Sequence, residues 1–272
     1  MPSFRHGEYI ERSILSVLNQ NYGATELIII DGGSADATRS ILERYRPELA
    51  FSCSEPDGGQ SDALNKGLRL ASGEIFGWLN SDDIYLPGAF EHVARIFAAR
   101  RELEVIYGDW HSIDTQDRII ECHPALAPSR ARLITEGFFC NAQAMFWRSC
   151  LQERVGYFDP QLHYTMDYDL MLRMISIAGR RAFFRTDRPL GCFRVHPGQK
   201  TGSSDVKVAA EHRHIAHRSG VAWKYAAQGR ALRWLYRFDR AAQYLRHGGP
   251  GYVLSKLRGS VDLRPARDPR QT

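Results

Sequence analysis

The chain has 272 residues, 43% hydrophobic and 25% charged, which suits one large domain, or one domain with an appendage, in a soluble globular protein. Its five cysteines (Cys53, Cys122, Cys140, Cys150, Cys192) are widely spaced and form no CxxC pair, which excludes a disulfide frame or cysteine zinc site and fits reduced thiols in the cytosol. No signal peptide is visible in this sequence, there is no run of about 18 apolar residues, and the net charge of +5 is unevenly held: residues 203–272 carry 14 Lys+Arg against 5 Asp+Glu, so the basic character belongs to the tail.

In chain order, Ile10, Ile14, Val17 and Leu18 fall at helical spacing within residues 6–20. Glu26-Leu27-Ile28-Ile29-Ile30 then reads as a strand buried on both faces of a parallel sheet, and ends in the turn Asp31-Gly32-Gly33-Ser34-Ala35-Asp36. A helix over 38–45, a short strand at 51–53, the loop Glu55-Pro56-Asp57-Gly58-Gly59-Gln60 and a helix over 61–71 follow, the last stopped by Gly73. A strand at 74–79, a helix over 87–100 opened by Pro87, and a strand at 105–107 complete an alternating pattern. That alternation predicts an α/β domain with a mainly parallel sheet flanked by helices. Beyond Asp109 the pattern is less regular: a hairpin turn at 114–117, a short helix at 130–135, a strand at 141–147, a helix at 167–178 and a strand at 181–185. From residue 205 the chain reads as helical, broken by Gly248-Gly249-Pro250-Gly251, with the last ten residues disordered.

The strand at 74–79 runs into Asn80-Ser81-Asp82-Asp83. Adjacent carboxylates repel, so a pair at the end of a buried strand suits a divalent cation that also holds a diphosphate. The alternative is that Asp82 and Asp83 only cap the next turn. In open α/β sheets ligands bind outside the carboxyl ends of the strands. Asp31 lies at such an end too, so these acids should face one crevice.

Taken together, the motifs resemble the inverting family 2 glycosyltransferases of GT-A fold. The likeness runs from Pro2 to Thr201. It rests on Pro2-Ser3-Phe4, Ile30-Asp31-Gly32-Gly33-Ser34 with Asp36, the stretch from Glu55 to Gly67, Gly73-Glu74 and Asn80-Ser81-Asp82-Asp83. It continues through Tyr107-Gly108-Asp109, Gln143-Ala144-Met145-Phe146-Trp147-Arg148, Met166-Asp167-Tyr168-Asp169-Leu170 and Arg194-Val195-His196-Pro197. The resemblance implies a nucleotide-sugar donor, most often a UDP-sugar, and Mn²⁺ or Mg²⁺. It assigns Asp31 and Asp57 to the base or ribose, and Lys66 to the diphosphate. Asp83 and Asp82 become metal residues, with Asp82 also a candidate for the ribose, and His196 completes the metal shell or touches the diphosphate. Asp167 becomes the base that takes the acceptor's proton. The structural alternatives are an Asx turn at Asp31, a plain turn Asp at Asp57, a surface ion pair of Lys66 with Asp62, a helix cap at Asp167 and a solvated loop histidine at His196. Gln143 and Trp147 are candidates for the acceptor side, with Trp147 equally placed as core, and Lys200-Thr201 for a mobile lid.

The sequence departs from the pattern in three places. Asn80 stands where the family often has an acid, which removes one negative charge from the motif. Family members lead into Pro-Ser-Phe with an apolar strand, whereas Met1 stands directly before Pro2 here. The expectation is a misplaced start or a truncated chain; the alternative is a protein without that strand. Either leaves unpaired backbone groups and an open groove in the core, at on the order of 1–3 kcal/mol per buried unpaired group. The third departure is the basic tail: residues 222–235 mix Trp223, Tyr225 and Trp234 with Lys224, Arg230 and Arg233, which suits a helix on an anionic membrane face or one packed on the catalytic domain. No nucleic-acid module accompanies the charge. The expected organisation is a GT-A domain over 1–202 and a basic helical extension over 203–272. Its expected work is sugar transfer to a glycan or lipid-linked acceptor in cell-surface polysaccharide synthesis, in the cytoplasm or on the inner face of the plasma membrane. The rivals are a non-catalytic, nucleotide-binding relic and a sugar nucleotidylyltransferase, which would want a Gly-rich phosphate loop.

Overall fold

The computed structural model describes residues 1–136, 140–200 and 205–220, and the single positions 234, 237, 238, 241, 242, 244 and 245. The first third alternates strand and helix: β1 (Pro2–Ser3), α1 (Ile10–Leu18), β2 (Ile28–Asp31), α2 (Thr38–Tyr45), β3 (Phe51–Ser54) and α3 (Gln60–Leu70). Its three strands form a parallel sheet in the order β1-β2-β3. The apolar run that predicted β2 buries Ile29 and Ile30; Ile29 shares a core with Ile10, Ile14 and Val17 of α1 and Leu42 of α2.

The remainder comprises β4 (Ile75–Gly77), β5 (Ile84–Tyr85), α4 (Ala89–Ala99), β6 (Val105–Ile113), β7 (Ile119–His123), α5 (Arg130–Glu136), β8 (Met145–Arg148), α6 (Ser149–Val155), α7 (Met166–Ala178), β9 (Phe183–Arg194) and α8 (Asp205–Arg218). Here the sheet is mixed. Its order is β4-β8-β6-β9-β5, with β7 on β6; only β6 and β9 run parallel. The parallel arrangement therefore holds for the first sheet alone. The two long strands β6 and β9 extend well past the short runs their hydrophobicity marks. Their pairing bends at Gly108, where a Cβ would overlap the Arg188 carbonyl.

Where no first strand was expected, the structure has a two-residue strand, β1, with Met1 bonded to β2 through Ile28 and Ile30. The boundary drawn after residue 202 precedes α8, but α8 belongs to the main body: Ile215 and Ala216 are buried in the second core with Tyr168 and Met171. Most of the basic stretch at 222–235, the glycine-rich break and the last ten residues lie outside the described residues. Among the described residues, no helix is long and apolar enough to cross a membrane.

Candidate active site

β4 delivers the chain to Trp78 and the turn that carries the acid pair. Asn80 organises that turn. Its side-chain oxygen accepts from Trp78 Nε1 (2.8 Å) and Gln60 Nε2 (2.9 Å), and its nitrogen donates to Asp83 Oδ2 (3.1 Å). An amide can do both; a carboxylate could not donate to Asp83. Asp83 is 1% exposed and also accepts the Arg194 N–H at 2.9 Å. Burial, and then the neighbouring Asp82 charge, push its pKa well above the usual carboxylate value. Asp83 thus ties the turn to β9 and stands outside the cluster formed by its neighbour.

Asp82 takes the other direction. Its Oδ2 lies 3.1 Å from His196 Nε2 and 3.8 Å from His6 Nε2. The ligand atoms of His6, Asp82 and His196 all lie within 4.8 Å of one another. Burial opposes the Asp82 charge, but the His196 hydrogen bond and the His6 field outweigh it and hold the pKa below its ordinary value. His6 is oriented by Nδ1 at 2.7 Å from Ser81 Oγ, which leaves Nε2 toward Asp82 when Nδ1 carries the proton. The His196 ring packs on Tyr9, centroids 4.7 Å apart.

Arg194 holds this assembly from below. It is fully buried; Nε donates to the Asp82 carbonyl (2.7 Å) and Nη1 to the Asp114 carbonyl (2.9 Å). It also pairs with Asp117 and lies 5.1 Å over the Tyr9 ring. Replacing it with leucine strands those acceptors, and Arg194→Leu is expected to cost on the order of 3 kcal/mol in chemical denaturation. Unchanged stability would contradict this role.

Asp31 is fully buried, and its carboxylate is occupied within the fold. It accepts from Ser34 N (2.8 Å), Ser34 Oγ (2.6 Å) and Ser54 Oγ (2.6 Å), joining the ends of β2 and β3. Asp57 is half-buried; its Oδ1 takes the Gly59 N–H at 2.8 Å, and the carboxylate lies against Gly32. A Cβ at Gly32 would stand 3.1 Å from Asp57 Oδ1, so the absent side chain keeps this end of the sheet open. Lys66 sits in the surface ion pair weighed for it, 3.4 Å from Asp62, and in a second with Glu55 at 3.2 Å.

At the start of α7, Asp167 and Asp169 diverge. Asp169 is 1% exposed and neutralised by Arg173 (2.9 Å) and by Arg218 of α8. Asp167 is half-buried and accepts the Tyr168 N–H at 2.8 Å. Burial raises its pKa to about 6, against the pull of that hydrogen bond and of Lys200; Glu211 adds to the rise. Glu211 also binds the His163, Tyr164 and Thr165 N–H groups at 2.9, 3.0 and 3.0 Å, fixing the entry to α7. Lys200 lies four residues after His196 with its ammonium 5.4 Å from the Tyr164 ring, so one segment connects the His–Asp cluster to the Asp167 end. Gln143 is buried with its amide unpartnered among the described residues, while Trp147 is core, its Nε1 donating to Gln152 at 2.8 Å. Thr201 lies outside the described residues.

Residues 1–154 match glycosyl transferase family 2, more than half of the chain. The chain belongs to this family. An uncharacterised glycosyltransferase of Rickettsia prowazekii is 28% identical over 75% of this chain and 65% of its own length. One from Mycobacterium tuberculosis is 29% identical over 63% of this chain and, again, 65% of its own. The chain thus spans just under two thirds of these relatives. Among solved structures, S. aureus TarS in complex with UDP-GlcNAc superposes with a TM-score of 0.65 at 20% identity, covering 79% of this chain and 64% of that one. The mannosyltransferase PcManGT from Pyrobaculum calidifontis, in complex with GDP-Man and Mn²⁺, gives 0.59 at 17% identity, covering 95% and 77%. At these identities the likeness shows the GT-A fold. Within this family-2 site, His6 is the residue that sequence reading passed over. It lies three residues past β1, a strand that the sequence reading did not expect, so no local signal marked it.

Proposed function

We propose that the chain is a metal-dependent, inverting glycosyltransferase that moves a sugar from a nucleotide-sugar donor to a glycan or lipid-linked acceptor. The observation that carries this reading is the His6–Asp82–His196 cluster joined by one segment to a carboxyl group, Asp167, whose pKa is raised into the working range of a base. The donor's nucleoside would lie at the ends of β2 and β3, with Asp57 as the carboxylate beside the Gly32 opening and Asp31 setting the turn.

Two imidazole nitrogens and one carboxylate oxygen form a mixed set that fits Mn²⁺ better than Mg²⁺, which prefers oxygen ligands. A divalent cation held by Asp82, His6 and His196 would neutralise charge developing on the departing diphosphate. Asp83 and Arg194 position the turn that carries Asp82. Asp167 takes the proton of the acceptor hydroxyl as that oxygen bonds to the anomeric carbon. The bond to the nucleoside diphosphate breaks on the opposite face, its electron pair leaves with the phosphate oxygen, and the configuration inverts. Cell-surface polysaccharide synthesis and a cytoplasmic setting accord with the family.

UDP-sugars and GDP-sugars screened with Mn²⁺ by thermal shift, followed by product analysis, test the reading. A donor that stabilises the chain and gives the inverted glycoside supports it; retained configuration contradicts it. The tail is a candidate for anionic membrane contact, with Trp234 exposed and Arg237 5.4 Å from its ring. In vesicle sedimentation, the full chain should bind phosphatidylserine vesicles at least tenfold better than a chain ending at residue 220. Equal binding contradicts membrane contact by the tail.

A further inference from the structure

Helix α8 meets α7 at the turn that carries Asp167. Glu211, Ile215 and Arg218 stand at i, i+4 and i+7 and so share one face of α8. Ile215 is buried in the second core, and the two charged residues act at either end of that face. Glu211 Oε1 accepts the His163 N–H at 2.9 Å. Its Oε2 accepts the Tyr164 and Thr165 N–H groups, each at 3.0 Å, and the Thr165 hydroxyl at 2.9 Å. Successive backbone N–H groups ahead of a helix form an anion cradle, and here a side chain from another helix fills it. Thr165, the N-cap residue of α7, makes no capping bond of its own, because its hydroxyl goes to Glu211. Arg218 pairs with Asp159 and Asp169, and the His212 ring packs edge-on against Tyr168, centroids 4.5 Å apart. α8 therefore grips residues 163–165 ahead of Asp167 and residues 168 and 169 behind it.

The Asp167 carboxylate takes the Tyr168 N–H at 2.8 Å, so the first turn of α7 sets where it points. Burial opposes the Glu211 charge, but its hydrogen bonds to residues 163–165 outweigh burial and hold its pKa below the ordinary value. Glu211 is thus ionised wherever Asp167 titrates. The other groups around Asp167 are Lys200, from the segment after β9, and the buried, neutral Cys140 thiol ahead of β8. Asp169 is neutralised by Arg173 and Arg218.

We propose that Glu211 is a positioning residue of the transfer site: from α8 it fixes the turn that aims Asp167 at the acceptor hydroxyl and faces that carboxyl group with a fixed negative charge. The inference rests on Asp167 as the base of the proposed transfer.

The test is Glu211→Gln in the full chain, assayed with Mn²⁺ and saturating donor. The amide carries no charge and cannot accept from all four donors. Loss of alignment at the reacting group should lower kcat about tenfold, with the donor KM unchanged within about twofold. The acid limb of the rate profile should move to lower pH. In an Asp167→Asn background the same substitution should change the residual rate by less than about twofold. Wild-type kcat and profile, or an equal loss in both backgrounds, overturn the proposal. Glu211→Asp keeps the charge but draws it back by one methylene, and serves if the glutamine variant does not fold. It should lose rate with the acid limb in place, and a wild-type kcat in it overturns the proposal. A readout apart from turnover is the ¹³C NMR titration of the Asp167 carboxyl, which should fall at lower pH in Glu211→Gln than in the wild type; an unchanged titration overturns the proposal. Full activity of Asp167→Asn contradicts the base reading and takes the proposal with it, whereas wild-type behaviour of Glu211→Gln overturns the proposal alone.

Discussion

Asp167→Asn lowers the transfer rate by about 10²–10⁴-fold while donor affinity stays within twofold. The asparagine keeps the size of the side chain and its acceptor for the Tyr168 N–H, but cannot take a proton. The wild-type rate should fall tenfold per pH unit below about 6, where the carboxyl becomes protonated. Burial raises this value; of the charged groups facing Asp167, Lys200 lowers it and Glu211 adds to the rise, while the Cys140 thiol in the same field stays neutral, its own pKa pushed well up by burial. The sign for stability is the reverse of that for rate. A carboxyl whose folded pKa is raised favours folding while protonated, and that contribution is lost as pH climbs from about 4 through 6. Asp167→Asn should therefore be at least as stable as wild type at pH 8. Full activity in this variant, or a rate flat down to pH 4, would remove Asp167 from the chemistry.

His6→Ala raises the Mn²⁺ concentration for half-maximal activity by about 10–100-fold, the range expected when a metal site is weakened. Asp82→Asn should raise it further, because it removes the only carboxylate of the set. Both variants should keep wild-type Tm within about 2 °C in the absence of metal, since the turn is held by Asn80, Asp83 and Arg194. His6→Ala with an unchanged Mn²⁺ requirement would leave His6 as a packing residue beside Ser81.

The first half of the fold was legible because local signals carry it. The continuous apolar run into Asp31 and the helical spacing of Ile10, Ile14 and Val17 each act within a few residues. The pairing of β6 with β9 was not, because its rungs join residues some 80 positions apart, such as Ile106 and Phe184, and no local pattern encodes parallel or antiparallel choice. The site divides in the same way. Asp82 and His196 stood out as motif residues, but which of two adjacent acids turns to the histidine depends on Asn80 and Arg194, and these act across the fold. His6 lay just past the Pro-Ser-Phe turn and gained meaning only when β1 placed it beside Ser81. Lys66 shows the converse: the i, i+4 spacing to Asp62 forecast an ion pair, and the structure has one.

The most direct test of the account is sugar turnover by the full chain across a nucleotide-sugar panel, after treatment with EDTA and again after Mn²⁺ is restored. The account predicts no turnover with EDTA, recovery with Mn²⁺, weaker recovery with Mg²⁺, and a glycoside of inverted configuration. Turnover that survives EDTA would contradict the metal site, and no turnover with any donor in Mn²⁺ would mark the chain as a nucleotide-binding protein that does not catalyse transfer.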